Sequence, residues 1–472
     1  MSHHDVIVIG SGPAGLACGA ELAEMGLDTL VLDEQMYPGG QIYRNVESTS
    51  AAQLDFFGED YSRGRSLVKR FRKSQAAYKG GASVWQVEAD GQVCYSCNDE
   101  SHHVTANYVV IATGAMERPV PIPGWTLPGV LGAGAANNLS KEAGLAPQGE
   151  VVLCGCGPLL LLEASLLVKK GVRVKAILET ASPVPSLAAL KHLPRALLRT
   201  DFLLKGVKLL YDLKKSKVPH LQGVSKVKAI GTDRVEKVEC YHKGQKVTYD
   251  AEMLLLHFGV IPNTHIMRQV GCELQWDPLL RYWYPVCDEW GRTNHERVFV
   301  AGDGSYVSGA IAAELKGELA ATELAHKLGV LSVKERDDRA LPIRKKLQAD
   351  KHPRPFIDAM YAPPADQFAF EDDTVVCRCE NVNVGTIREA IRQGAHDANE
   401  IKIITRAGMG PCQGRMCGPA LNEILAHELA ATPDTVGYLN IRPPLKGVPL
   451  GEIAAMSFTG ASGPADLFKN QK

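Results

Sequence analysis

Short apolar runs alternate with longer, helix-like stretches along most of this chain. Residues 5–9 (Asp-Val-Ile-Val-Ile) end at Gly10-Ser-Gly12-Pro13-Ala14-Gly15 and pass into a helical segment. Residues 28–33 form a second run that ends in Asp33. Residues 108–112, 151–154 and 173–179 read the same way. Brief apolar runs closed by glycine or a charge predict buried strands, and strands alternating with helices predict an α/β fold with parallel sheets. The longest apolar stretch, residues 151–168, contains Gly155, Gly157, Pro158 and Glu163, so it predicts strand, turn and helix and not a membrane span. Residues 182–223 are rich in Leu and Lys and predict inserted helices. Residues 331–370 are charged and broken by Pro353, Pro355, Pro363 and Pro364, the pattern of a connector.

A chain of 472 residues, 45% hydrophobic, is too long for one core and fits two or three domains. Its 52 Lys and Arg against 53 Asp and Glu give no footing for nucleic acid. No basic leader or cleavage site precedes the first strand, so a cytoplasmic setting is expected. In a reducing compartment the 12 cysteines are expected to bind metal, be buried or react, and not to form disulfides.

The first glycine motif carries specific chemistry. Gly10 permits the tight turn, Gly12 lets backbone approach a pyrophosphate, and Gly15 lets helix and strand pack. The helix N-terminus favours the phosphate charge. Asp33, 23 residues after Gly10, stands where a ribose hydroxyl would bind. The second unit starts with Gly155-Cys156-Gly157 and has Glu179 at its second strand end, but its third glycine position is Leu160. A branched side chain there crowds the phosphate turn, so weakened or lost NAD(P)H binding is expected, with room for another adenine nucleotide.

Four thiols near the C-terminus form Cys377-x-Cys379 and Cys412-x4-Cys417, the later pair flanked by Gly408, Gly410 and Gly414. Such a set suits either a [2Fe–2S] cluster or Zn²⁺, and spacing alone leaves both open. Cys154 and Cys156 lack disulfide-reductase spacing, and Cys94-x-x-Cys97 reads as a structural pair. His102-His103 reads as solvated, as does the amphipathic segment from Leu203 to Lys217.

Residues 5–325 resemble the two-dinucleotide-domain flavoproteins, through the first glycine motif, Thr113-Gly114, the late Gly302-Asp303, and Gly39-Gly40-Gln41. That resemblance implies FAD, contacted by Gly10, Gly12, Pro13, Ala14, Gly15, Asp33, Glu34, Gly40, Gln41, Val87, Thr113, Gly114, Gly302 and Asp303. Residues 405–417 resemble the bacterioferritin-associated-ferredoxin type of [2Fe–2S] domain, which implies Cys377, Cys379, Cys412 and Cys417 as ligands. The order of these parts, with Glu117-Arg-Pro-Val-Pro-Ile-Pro, His257-Phe-Gly-Val-Ile-Pro-Asn263 and Arg442-Pro-Pro-Leu-Lys-Gly-Val-Pro-Leu450, resembles the alpha subunit of multi-subunit amino-acid and opine dehydrogenases. It implies a flavin domain (1–145 and 268–330), a degenerate nucleotide domain (146–267), the connector, a cluster domain (371–430) and a tail (431–472).

It further implies a partner beta subunit of the D-amino-acid-oxidase type that oxidises the substrate amine. FMN near the subunit contact, a quinone or carrier-protein acceptor, a small ferredoxin-like subunit and placement on the inner face of the membrane through the complex complete that expectation. No residue constellation in this chain reads as a substrate base. Rival readings are a self-sufficient NAD(P)H-dependent reductase, the B subunit of hydrogen cyanide synthase, or a zinc-holding assembly protein.

Overall fold

The computed structural model describes residues 2–456. Strand Ser2–Ile9 is central in a seven-stranded sheet, parallel to Thr29–Asp33 on one side and to the long strand Glu100–Ile111 on the other. Val6 and Val8 belong to one core cluster, Ile7 and Ile9 to another. Burial on both faces is why this strand reads as an unbroken apolar run. Helix Pro13–Glu24 opens with proline at its first turn, where a missing N–H costs nothing.

The long strand serves two neighbours along its far edge. Gln92–Cys97 pairs antiparallel with its first half, and Val298–Val300 pairs in parallel with Val109–Ile111. The chain therefore returns to the first sheet only after the second unit is complete. Helix Ala310–Lys327 then packs on helix Pro13–Glu24, so closely that a Cβ at Gly317 would lie 2.2 Å from the Ala14 carbonyl oxygen.

The second sheet has five parallel strands, in the order His220–Gln222, Arg173–Glu179, Glu150–Cys156, Met253–Phe258 and Val130–Gly132. The last of these corrects the expected domain boundary. Residues 130–132 and the helix Ala133–Ala143 belong with the second unit, because they cover its sheet edge and share its core. The hinge is an antiparallel pair, Ala115–Glu117 with Val260–Pro262. The inserted segment contains helices Leu187–Leu190, Leu193–Ala196 and Thr200–Lys215.

The expected connector also differs. Ser332 and Glu335 form a capping box that starts helix Val333–Asp350, and this helix packs on Ala310–Lys327. Ala340 is buried there, with Ile343 and Leu347 against the same core. Composition alone hid this, since the helix is polar on most of its surface. The cluster domain consists of a short hairpin, Val375–Cys377 with Val382–Asn383, and helices Val384–Arg392, Ala398–Thr405 and Gly418–Glu428. Of the tail, residues 457–472 lie outside the described residues.

Candidate functional site

The first glycine turn is built around close backbone contacts. Gly10 has φ +104°, and a Cβ there would meet the Ala112 carbonyl oxygen at 2.5 Å. A Cβ at Gly15 would overlap the Gly10 carbonyl oxygen at 1.8 Å. Gly12, Gly114 and Gly309, in contrast, border open space. Together with the helix N-termini at Pro13 and Ala310, they suit an extended dinucleotide.

Asp33 accepts from Ser11 N at 2.5 Å, Ser11 Oγ at 2.6 Å and Gln35 N at 2.7 Å. Ser11 thus positions the carboxylate, with limited capacity left for a ribose hydroxyl. Asp303 Oδ1 accepts from Ser308 N and Gly309 N, which holds the loop that leads into helix Ala310–Lys327. Gly302 packs against Ala14, so the early and late motifs meet. Gly40 lies against Gly12, since a Cβ on it would be 2.7 Å from the Gly12 Cα. Gln41 is exposed and bonds Arg44 and Asn138. Thr113 Oγ1 reaches the Asn263 carbonyl oxygen.

Two predicted positions are committed elsewhere. Glu34 is exposed and paired with Lys446 of the tail at 2.5 Å. The backbone N–H and C=O of Val87 are both bonded, at 2.9 Å, by the Gln269 side-chain amide.

Sequence reasoning missed Lys316. Its ammonium donates to the Tyr306 carbonyl at 2.7 Å and Ser305 Oγ at 3.0 Å, holding the loop after Asp303. Burial pulls this lysine down to about 8, against the opposing effect of Asp303. The signal was weak: a lysine within a helix rich in alanine.

The second turn keeps the shape of the first without its openness. Gly155, at φ +142°, lies against the His257 carbonyl, and Gly157 borders open space. Leu160 is fully buried among Val151, Leu153, Leu161 and Leu255. Glu179 is 1% exposed and already bonded to His220 Nε2 at 2.9 Å and Gln222 Nε2 at 3.0 Å. Tyr361, which ends helix Arg354–Met360, lies near Glu179 and Cys156; burial first, then these two groups, push its phenol above the ordinary range.

The two cysteine pairs of the N-terminal and second units carry no disulfide. Cys94, Cys97, Cys154 and Cys156 are free and buried, and burial pushes Cys94 and Cys156 up to about 11. His102 stacks on Tyr95 and His103 bonds Gln92, so neither is simply solvated.

The four C-terminal thiols converge in two pairs, Cys377 with Cys417 and Cys379 with Cys412. The Cys417 thiol and backbone N–H groups of Gly408, Glu380 and Cys379 hold Cys377 well below the usual thiol range, against burial. N–H groups aimed at a sulfur favour thiolate and cluster charge alike. Among the described residues no three His, Cys, Asp or Glu groups converge as one ion would require. Glycine makes the loop possible: a Cβ at Gly410 would lie 2.1 Å from the Cys379 Cβ.

This loop is docked firmly on the flavin-side hinge. His265 Nε2 bonds the Gln413 carbonyl at 3.1 Å, Trp125 Nε1 donates to the Val375 carbonyl at 2.7 Å, and Arg281 pairs with Glu423. Arg268 stacks on Tyr438, 3.8 Å from the ring centre.

Residues 4–327 match the pyridine nucleotide-disulphide oxidoreductase family, and residues 375–427 match the BFD-like [2Fe-2S] binding domain. The A subunit of opine oxidase from Rhizobium meliloti is 39% identical over 97% of this chain and 88% of its own length. The HcnB subunit of hydrogen cyanide synthase from Pseudomonas aeruginosa is 31% identical over 94% and 97%. The crystal structure of L-proline dehydrogenase from P. horikoshii shares the fold, with TM-score 0.70, 20% identity, and coverage of 96% of this chain and 79% of that one. FAD and a [2Fe–2S] cluster are the cofactors of this oxidoreductase. The chain belongs to the alpha-subunit family of multi-subunit amino-acid and opine dehydrogenases, which includes HcnB and the A subunit of opine oxidase.

Proposed function

We propose that this chain is the electron-transferring subunit of a hetero-oligomeric dehydrogenase that oxidises an amino acid or opine at a CH–NH bond. The observation that supports this reading is the docking of the cluster domain on the flavin-side hinge, through His265 with Gln413 and Trp125 with Val375. When bound, FAD takes up an electron pair and the cluster passes electrons singly to a quinone or carrier protein. Gly10, Gly12, Pro13, Ala14 and Gly15 bind the pyrophosphate, and Gly302 and Asp303 hold the ribityl end. Gly40 and Gly114 line the cradle, and Ser11 orients Asp33. Cys377, Cys379, Cys412 and Cys417 hold the cluster.

Substrate oxidation belongs to a D-amino-acid-oxidase-like partner, with FMN at the contact between the subunits. The naming of the relatives as subunits supports that division. The purified chain should carry FAD and show the electron paramagnetic resonance of a reduced [2Fe–2S] cluster. It should turn over opines or cyclic amino acids only after the partner is added. Full turnover by the chain alone overturns the division.

We place the complex peripherally on an anionic membrane face. No helix among the described residues is long and apolar enough to cross a membrane. Helix Thr200–Lys215 instead exposes Leu204, Val207 and Tyr211 as a ridge flanked by Lys208, Lys214 and Lys215. Lysine is depleted in protein–protein interface cores, whereas a lysine-flanked apolar ridge suits anionic lipid.

A further inference from the structure

A narrow cavity lies between the hinge of the two nucleotide units and the cluster domain. Arg118, Arg268, Arg281 and Arg415 line it, and Glu423 is the one carboxylate among its lining residues. Arg281 is paired with Glu423, and Arg118 donates to the carbonyls of Phe258, Leu280 and Arg281. Arg118, Arg268 and Arg415 have no carboxylate partner among the described residues, but of these only Arg268 and Arg415 also have a guanidinium nitrogen without a hydrogen bond.

Both are incompletely bonded. Arg268 Nη2 and Arg415 Nε are shut off from bulk solvent and have no hydrogen-bond partner. A buried cationic donor left unpaired is costly, and a matching anion removes that cost. Arg268 is fixed in place: its Nε donates to Thr264 Oγ1 at 3.1 Å, and its plane is held between Tyr438 and Trp283. His265, also in the lining, is drawn down to about 4 by burial and by Arg415, so it stays neutral and adds no competing charge near neutral pH.

The space inside is about 30 Å³. One water needs roughly 10–15 Å³ on that measure, so the cavity holds two or three waters or one carboxylate group, and no nucleotide. We propose that it binds a small carboxylate between Arg268 Nη2 and Arg415 Nε, at the back of the cluster loop. Planar guanidinium is the side chain best matched to that ligand. Arg415 stands between Cys412 and Cys417, and His265 is bonded to Gln413. Occupancy is therefore coupled to the loop that holds the cluster.

The cluster itself is the rival counter-charge. Tyr438 stands against it: the ring stacks on Arg268, and its hydroxyl lies where a Cβ of Gly418 would be, 2.4 Å away, next to Cys417. Arg268 is thereby screened from the thiols.

The test uses the full chain with FAD and cluster in chloride-free zwitterionic buffer, titrated with acetate and, separately, with phosphate. Acetate should raise the melting temperature saturably and alter the line shape of the reduced cluster's paramagnetic resonance. Arg268→Met and Arg415→Met should each weaken acetate at least 10-fold. If Arg268→Met does not fold, the half-buried Arg415 carries the test alone. No saturable acetate effect, or one unchanged by these substitutions, overturns the proposal. Saturation by phosphate and not acetate overturns the carboxylate assignment. A resonance changed by the substitutions with no acetate effect means that the arginines serve only the cluster, and it also overturns the proposal.

Discussion

The two nucleotide units of this chain share a strand, a glycine turn and a helix, yet they differ at the third glycine position and in how the acidic strand end is held. In the first, Gly15 lets the helix approach to where a Cβ would touch the Gly10 carbonyl, and Asp33 is held at the rim by Ser11. In the second, Leu160 fills the helix–sheet contact and Glu179 is sealed by His220 and Gln222. Gly155 of the second turn is required by the fold, since it passes close to the His257 carbonyl.

The comparison breaks most readily at the first turn. Gly15→Val forces a side chain into backbone and should abolish FAD binding, seen as loss of flavin absorbance in the purified chain. Gly157→Ala, facing open space at φ +101°, should cost only about 1–3 kcal/mol of backbone strain and leave FAD and cluster in place. Equal flavin loss in both would erase the distinction.

Cys417→Ser should remove the cluster's resonance while FAD is retained, because the thiol loop and the glycine cradle are separate constructions joined by docking. Loss of both cofactors would show that they are one folding unit. Leu160→Ala should destabilise by roughly 2–5 kcal/mol as a cavity in a closed core. It should not create NADPH reduction, since Glu179 stays sealed. Thermal melts and NADPH titration check the two halves of that statement.

On the membrane side, Leu204→Ser with Val207→Ser should release the chain from phosphatidylglycerol vesicles in sedimentation. Unchanged binding would show that this helix is not the attachment face.

The smallest expected effect concerns Glu163 on the second unit's helix. Burial, opposed by Asn137 and Lys141, raises its carboxyl from 4.5 to about 7. The folded state thus holds a proton more readily than the unfolded state. The penalty is absent below pH 4.5, grows between 4.5 and 7, and is full above 7. Glu163→Gln should therefore melt higher than the parent above pH 7, with the gap closing toward pH 4.5. A constant gap at every pH would contradict it.

Much of this was legible in the chain itself. The strand–turn–helix runs and the spacing of Cys377, Cys379, Cys412 and Cys417 declare themselves because turn chemistry is local. The boundary at residue 146 was not, because Val130–Gly132 joins the second sheet through pairing with residues 254–256, far along the chain. Helix Val333–Asp350 was hidden by its polar surface, and the commitment of Val87 to Gln269 is likewise a long-range fact. Lys316 and Tyr438 gain meaning only from what surrounds them.

Above all, electrons should not enter this chain from a nicotinamide. Anaerobic mixing of the FAD- and cluster-loaded chain with excess NADPH or NADH tests this most directly. The expected result is no flavin bleaching faster than slow background reduction, and rapid bleaching by the amine substrate once the partner is present. Rapid, saturable bleaching by NADPH or NADH in the isolated chain would contradict it.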